Sequence, residues 1–318
     1  MITDNITIAA ECLRKDQLVA IPTETVYGLA GNAFSEIAVR KIFELKQRPF
    51  FNPLIVHIKS IDYLDQVAIN IPQLAYDLAT SFWPGPLTLL LTKKEIVPDI
   101  VTAGKSTVAI RIPSQARTLE LLNILEFPLA APSANPFGSV SPTTTEHVAD
   151  YFGEKLPVIL DGGACEKGVE STIVGFEDGK PVVYRLGALS VEELQKNCSE
   201  IRFRLKDDHT PQAPGMLSRH YAPRTRIYLT NDVVRLSKEF SGKKTGVLLL
   251  SNRASLNADH IEVLSPSADL NEAAKNLYAA LHRLDQMKLD VIIAQRMPDV
   301  GIGRTMNDRL SRAVVSDN

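Results

Sequence analysis

A chain of 318 residues, 45% hydrophobic and 23% charged, suits a globular protein of two ordinary domains and excludes a disordered or fibrous one. No apolar run approaches the ~20 residues of a membrane span, and the N-terminus lacks the layout of a signal peptide. The net charge of −2 is divided unevenly: residues 1–203 carry 18 Lys+Arg against 24 Asp+Glu, or −6, and residues 204–318 carry 17 against 13, or +4. A region at −6 is a poor stand-alone nucleic-acid binder, which needs a basic face. Cys12, Cys165 and Cys198 are odd in number and lack C-x-x-C spacing. A cytoplasmic chain without a disulfide framework or structural zinc is expected.

In chain order, helical spacing is expected over residues 7–15, followed by a β-rich run at 18–21. Ser35 suits the cap of a helix over 36–46, on which Ala38, Val39, Ile42, Phe43 and Leu45 have helical spacing. Lys46 suits the negative end of that helix dipole, and Pro49 bars Arg48 from the α region. The two cations of Lys46-Gln47-Arg48 can then swing together as a clamp. Further β-rich runs lie at 54–58, 87–92, 108–112, 129–131, 158–160, 172–174 and 182–184, with helical patterns at 71–81 and 118–125. Hairpin-like and crossover spacings are mixed, which predicts a mixed sheet. Residues 204–225 are polar and rich in Pro and Gly, and read as a linker. Beyond it, runs at 226–229, 246–250, 262–264 and 291–294 alternate with a helix capped by Asp269 and carrying Ala273, Leu277, Leu281 and Leu284. That alternation predicts a small Rossmann-like parallel sheet. The fold class is α/β: a mixed-sheet domain over 1–203, a linker over 204–225 and a small parallel α/β domain over 226–318.

Strand parity groups candidate polar residues. Val108, Ile110 and Ile112 share one face of their strand, and Thr107, Ala109 and Arg111 the other. His57 lies opposite Leu54, Val56 and Ile58, so His57 and Arg111 can line one concavity. Two motifs fail. Ala103-Gly104-Lys105-Ser106-Thr107 resembles the tail of a phosphate-binding P-loop, but the required first glycine is Asp99. Gly301-Ile302-Gly303-Arg304-Thr305-Met306 does not complete a dinucleotide-binding fingerprint. No HExxH-like metal cluster appears among the six histidines.

The flanks of Lys46-Gln47-Arg48 are decisive: Pro22-Thr23-Glu24-Thr25-Val26-Tyr27-Gly28-Leu29 before it and Pro49-Phe50-Phe51-Asn52-Pro53-Leu54-Ile55-Val56-His57 after it. With Trp83-Pro84-Gly85-Pro86, Pro132-Ser133-Ala134-Asn135, Ser141-Pro142-Thr143, Asp161-Gly162-Gly163 and Gly168-Val169-Glu170-Ser171-Thr172, they resemble, in order, the YrdC-like threonylcarbamoyl-adenylate synthases. The likeness covers most of residues 10–190. Ala213-Pro214-Gly215-Met216 and Arg219-His220-Tyr221-Ala222-Pro223 resemble the linker of the longer, two-domain members, and residues 301–313 the end of their second domain.

The resemblance implies a twisted sheet with a concave face, and synthesis of threonylcarbamoyl adenylate from L-threonine, bicarbonate and ATP with release of pyrophosphate. It implies that this product feeds the threonylcarbamoyl modification of the adenosine beside the tRNA anticodon, with possible hand-over to a transferase complex. Arg111 matches the arginine that binds the threonine carboxylate, a task suited to a bidentate guanidinium. Thr25, His57, Ala131 and Ser171 match the rest of the threonine pocket. Arg48, Asn52, Thr107, Ser133, Ser141, Arg185 and Tyr221 match the nucleotide side. Lys46 and Arg48 are expected to shield charge during attack of a carbamate oxygen on the α-phosphorus. Mg²⁺ is expected to arrive on ATP, with few or no protein ligands. Phe137-Gly138 and Arg185-Leu186-Gly187 depart from the more usual Ser-Gly and Arg-Pro-Gly. The linker is expected to fold back as a lid, bringing Tyr221 to the nucleotide. An alternative class, a module recognising tRNA or double-stranded RNA, is disfavoured by the acidic first region. A hydrogenase-type carbamoyl-transfer factor is disfavoured by the lack of Cys-rich spacing.

Overall fold

The computed structural model describes residues 1–198, 200–207, 211–217, 220–252, 256 and 258–314, so Arg219 of the linker motif lies outside the described residues. Among the described residues, eleven strands form one sheet. Their spatial order is Ile2–Thr3, Val158–Leu160, Val19–Ile21, Gly28–Asn32, Leu129–Ala130, Ile55–His57, Thr107–Arg111, Leu87–Thr92, Thr172–Glu177, Lys180–Arg185 and Arg202–Phe203. Five neighbouring pairs are parallel and five antiparallel, so the sheet is mixed, as the spacing predicts. A second sheet, all parallel, takes the order Ile227–Thr230, Val291–Gln295, Thr245–Leu249 and His260–Val263.

Local chemistry sets the element ends that matter. The Ser35 hydroxyl accepts the Ala38 N–H and starts the helix Glu36–Lys46. That helix stops because Gln47 turns left-handed, with φ 53°, and re-aims the chain toward Arg48 and Pro49. The strand Gly28–Asn32 is absent from the expected elements. Its glycines weaken the β signal, yet a Cβ on Gly31 would sit 3.1 Å from Leu18 and 3.3 Å from Ile42. In the second unit, the Asp269 carboxylate accepts the Glu272 N–H at 2.7 Å and caps the helix Leu270–Gln286. Ala273, Leu277, Leu281 and Leu284 are fully buried on its inner face, and each leucine contributes about 1.5–3 kcal/mol of burial.

Each sheet has apolar clusters of its own, and one further cluster joins them. Val26, Val140, Val169, Ala188 and Tyr221 pack in one cluster with Ala274, Leu277, Tyr278 and Met306 of the second unit. Backbones meet there too: a Cβ on Gly168 would lie 2.3 Å from the Lys275 carbonyl oxygen. The helix Ile302–Ala313, not foreseen as such, buries Arg309 against Glu170 and Leu186 of the first unit and Arg312 against Leu205 and Leu217 of the linker, while Asn307 bonds to Met297 of its own unit. Ala103-Gly104-Lys105 follows the short helix Asp99–Thr102 and leads into a strand, the reverse of the strand–loop–helix order of a P-loop.

Candidate active site

Strand register builds the floor of the principal concavity. Parallel pairing sets Ile55 beside Ala109 and His57 beside Arg111. Ile55 and Ala109 belong to the cluster on this face, while Val56, Val108 and Ile110 enter the main core behind it. The concavity has about 570 Å³ of empty volume, counted out to its mouth.

Nine of the thirteen candidate residues line it: Thr25, Arg48, His57, Arg111, Ala131, Ser133, Ser171, Arg185 and Tyr221. Thr23, Val26, Gly28, Ile55, Pro132, Glu170, Pro214, Gly215 and His220 also line it, without having been singled out. Two of the missed groups could have been found. Glu170 and His220 stand inside motifs that carry the family resemblance, beside residues that were chosen.

Arg111 is held from three sides. Its Nε donates to the Gly85 carbonyl at 3.1 Å, one terminal nitrogen to the Thr25 hydroxyl at 2.9 Å and the other to Glu24 at 2.5 Å. Glu24, 3% exposed, also accepts the Ser114 N–H. A guanidinium has five N–H groups, so one on each terminal nitrogen is left for a ligand carboxylate. The neighbouring His57 is held neutral, because burial and then the Arg111 charge lower it to about 3.

The nucleotide-side candidates form a second, cationic wall. Arg48 donates to the carbonyls of Asn52 and Pro53, at 3.1 and 2.8 Å. Burial chiefly, with Arg185 adding and Tyr221 opposing, lowers its guanidinium to about 9, so it stays charged at neutral pH. Arg185 donates to the Ser171 carbonyl and hydroxyl, at 2.8 and 3.0 Å, and to the Pro214 carbonyl. Burial would raise the Glu170 carboxyl, but Arg309, Arg185 and the Ser141 hydroxyl outweigh it and hold the group at about 2. The pocket therefore contains an anion paired from the second unit.

Four candidates are not brought to the concavity. Lys46 donates to the carbonyls of Ser133 and Asn135, at 2.6 and 2.5 Å, and so ties down the loop whose Ser133 does line the pocket. Burial and then Arg48 lower its ammonium well below the ordinary value. In this arrangement the Lys46 ammonium points to that loop, and of the two cations Arg48 lines the space. Ser141 donates to Glu170 at 2.7 Å. Asn52 is fully buried with both side-chain amide atoms unpaired, and the Thr107 hydroxyl is likewise buried and unpaired. These three polar groups retain hydrogen-bonding capacity that buried groups rarely leave unused.

The linker supplies Pro214, Gly215, His220 and Tyr221 to the same wall. Tyr221 is 2% exposed, and its φ of 64° is unusual for a residue with a side chain. The Ala222 N–H bonds to Gly138, and the His220 N–H to Arg312, so the segment is fixed at both sides.

Residues 11–187 match the Sua5, YciO and YrdC family, described as telomere recombination, and residues 189–314 match its second region, described as threonylcarbamoyl-AMP synthase, C-terminal domain. The chain belongs to the Sua5/YciO/YrdC family. A Pyrococcus abyssi family member named threonylcarbamoyl-AMP synthase is 44% identical, covering 97% of this chain and 93% of its own. A Bacillus subtilis family member of the same name is 40% identical, covering 96% and 91%. The crystal structure of P. abyssi Sua5 complexed with L-threonine superposes with a TM-score of 0.90 at 42% identity, over 97% of this chain and 93% of that one.

Proposed function

We propose that this protein is an L-threonylcarbamoyladenylate synthase. It joins L-threonine, bicarbonate and ATP, and releases pyrophosphate. The observation that carries the reading is one concavity in which Arg111, with two N–H groups to spare, stands beside neutral His57, Thr25 and Ser171 and faces a wall of Arg48, Arg185 and Tyr221. Relatives at 40–44% identity named for this activity, and a superposable structure bound to L-threonine, support it.

The threonine carboxylate docks on Arg111, and the threonine amine attacks the bicarbonate carbon, whose C–O bond breaks with loss of water to leave a carbamate. A carbamate oxygen attacks the α-phosphorus, and the bond to pyrophosphate breaks. Two anions must be held in line against their repulsion, so positioning and fixed positive charge carry the acceleration. Arg48 and Arg185 supply that charge, Lys46 fixes the loop under it, and no nucleophilic side chain is needed. Glu170, which lines the pocket, is engaged by Arg309, and Glu24 behind it by Arg111. Mg²⁺ therefore belongs with the nucleotide as part of the substrate. The linker acts as a lid that shields the labile mixed anhydride from water. The product passes to a transferase complex that modifies tRNA adenosine. A cytoplasmic setting is part of this reading, on the three unpaired cysteines.

The test is direct. Purified protein with threonine, ¹³C-bicarbonate and Mg-ATP should yield a labelled threonylcarbamoyl adenylate by mass spectrometry, with pyrophosphate in equal amount. Pyrophosphate release that ignores threonine, or none at all, would overturn the reading.

A further inference from the structure

Arg309 is the largest fully buried side chain among the described residues, and it lies on the last described helix, far from the motif blocks in sequence. Its Nε donates to Glu170 at 2.7 Å. One terminal nitrogen donates to Asp308 and the other to the Leu186 carbonyl, each at 2.6 Å. Its guanidinium carbon sits 4.8 Å from the centroid of the Tyr221 ring. Three segments of the pocket wall thus meet on one cation. They are the strand entry at Glu170, the turn after Arg185, and the linker at Tyr221.

Tyr278, on the helix Leu270–Gln286, completes the junction. Its hydroxyl lies 3.0 and 3.1 Å from the two Glu170 oxygens, and its ring stacks on Tyr221 with centroids 6.0 Å apart. From the first unit, only Ser141 donates a side-chain hydrogen bond to Glu170 among the described residues. Without Arg309 and Tyr278, that hydroxyl and the nearby Arg185 charge alone would support a buried carboxylate that has lost its ion pair. A clasp that merely joined two units would not need its cation against a carboxylate and a ring that both face the pocket.

We infer that Arg309 is a positioning residue, through which the second unit holds Glu170 and Tyr221 in place and so forms the nucleotide side of the site. The inference rests on the proposed synthase activity for its kinetic readout, but not for its structural one. The partners of Arg309 are Glu170, Asp308, Leu186 and Tyr221, and of the threonine-side candidates only Ser171 adjoins one of them in the chain, so the two substrates should respond differently. By reciprocity, a nucleotide bound at this wall tightens the docking of the second unit.

Full-length Arg309→Met, Arg309→Lys and the double variant Arg309→Met/Glu170→Gln test it. The double variant removes the orphaned anion and guards against misfolding of the single one. Arg309→Met and the double variant should raise the ATP KM by about tenfold or more, equivalent to about 1.4 kcal/mol, and move the threonine KM by less than about threefold. Arg309→Lys, which keeps the charge and loses the fork, should fall between. Hydrogen exchange gives the second readout. Amides of His220, Tyr221, Ala222 and Arg224 should exchange faster in Arg309→Met and the double variant, while those of Thr107–Arg111 stay as in the wild type. Equal rises in both KM values, no rise in either, or an even increase in exchange across the chain would overturn the inference. A wild type that makes no adenylate would sink the proposed activity, yet leave the exchange comparison to decide the role of Arg309.

Discussion

Replacing Arg111 by lysine separates two tasks of that side chain. Arg111 is 3% exposed and pairs with Glu24, which is equally buried. Alanine would strand the Glu24 carboxylate, a loss of about 3–5 kcal/mol in stability, and lost activity would then say little about substrate. Lysine keeps a charge beside Glu24 and gives up the planar fork. A ligand carboxylate gripped by the two remaining N–H groups would lose about 1.5–3 kcal/mol. At about 1.4 kcal/mol per tenfold, threonine should bind roughly 10- to 150-fold more weakly. ATP affinity should change by less than about threefold, since Arg111 bonds to Gly85, Thr25 and Glu24 and lysine keeps the charge that Arg185 feels. A thermal melt would first establish folding. Calorimetric titration with each substrate, and pyrophosphate release with each varied in turn, would then give the two losses. Equal losses would refute the assignment of Arg111 to the threonine carboxylate.

Lys46→Met and Arg48→Met should each lower turnover by roughly tens- to thousands-fold in folded protein, the first by freeing the loop at Ser133 and the second by removing charge from the pocket. Near-normal pyrophosphate release from either would exclude that residue from the machinery. Acid should destabilise the fold early. Burial, then the Arg111 charge, depresses His57 to about 3, and burial does the same to His220 against the opposing Glu170 charge, with Arg48 and Lys46 assisting, so both lie below the ~6.5 of an unfolded histidine. The stability they contribute is therefore present above about pH 6.5 and is lost as pH falls toward about 3, at up to about 1.4 kcal/mol per unit for each ring. Urea midpoints measured from about pH 7.5 down to about pH 5 should fall less steeply in His57→Asn and His220→Asn; identical slopes would contradict the burial argument. Gly168→Ala should lower Tm, because φ is +70° and the new Cβ would press on the Lys275 carbonyl, at a loss of about 1–3 kcal/mol or more. An unchanged melting curve would show that the two units do not meet as described.

What the sequence reveals follows from how local each signal is. The alternation around Arg111 assigns its face correctly, because parity is a property of one strand. Asp269 marks its helix because a cap acts within one turn. The strand Gly28–Asn32 is hidden, since glycine is chosen there for close packing and carries no β preference. The helix Ile302–Ala313 is hidden for the opposite reason. Its inner face carries Arg309 and Arg312, and charge ordinarily marks the solvent side. The tie of Lys46 to the loop is hidden because nothing near it in sequence reveals the carbonyls of Ser133 and Asn135, 87 and 89 residues away. Glu24 and Glu170 escape attention alike, as their partners Arg111 and Arg309 lie 87 and 139 residues further on.

That last separation has a consequence for how the protein is made. Synthesis runs at about 5–20 residues per second, so the Glu170 carboxylate waits about 7–28 s for its arginine. During that interval Val26, Val140 and Val169 lack the helices that cover them. A nascent chain in this state has most of its motifs and an incomplete nucleotide wall, and it exposes an apolar face beside an unpaired anion. Chaperone holding, or slow elongation near the 3′ end of the message, would act on this intermediate rather than on the finished fold.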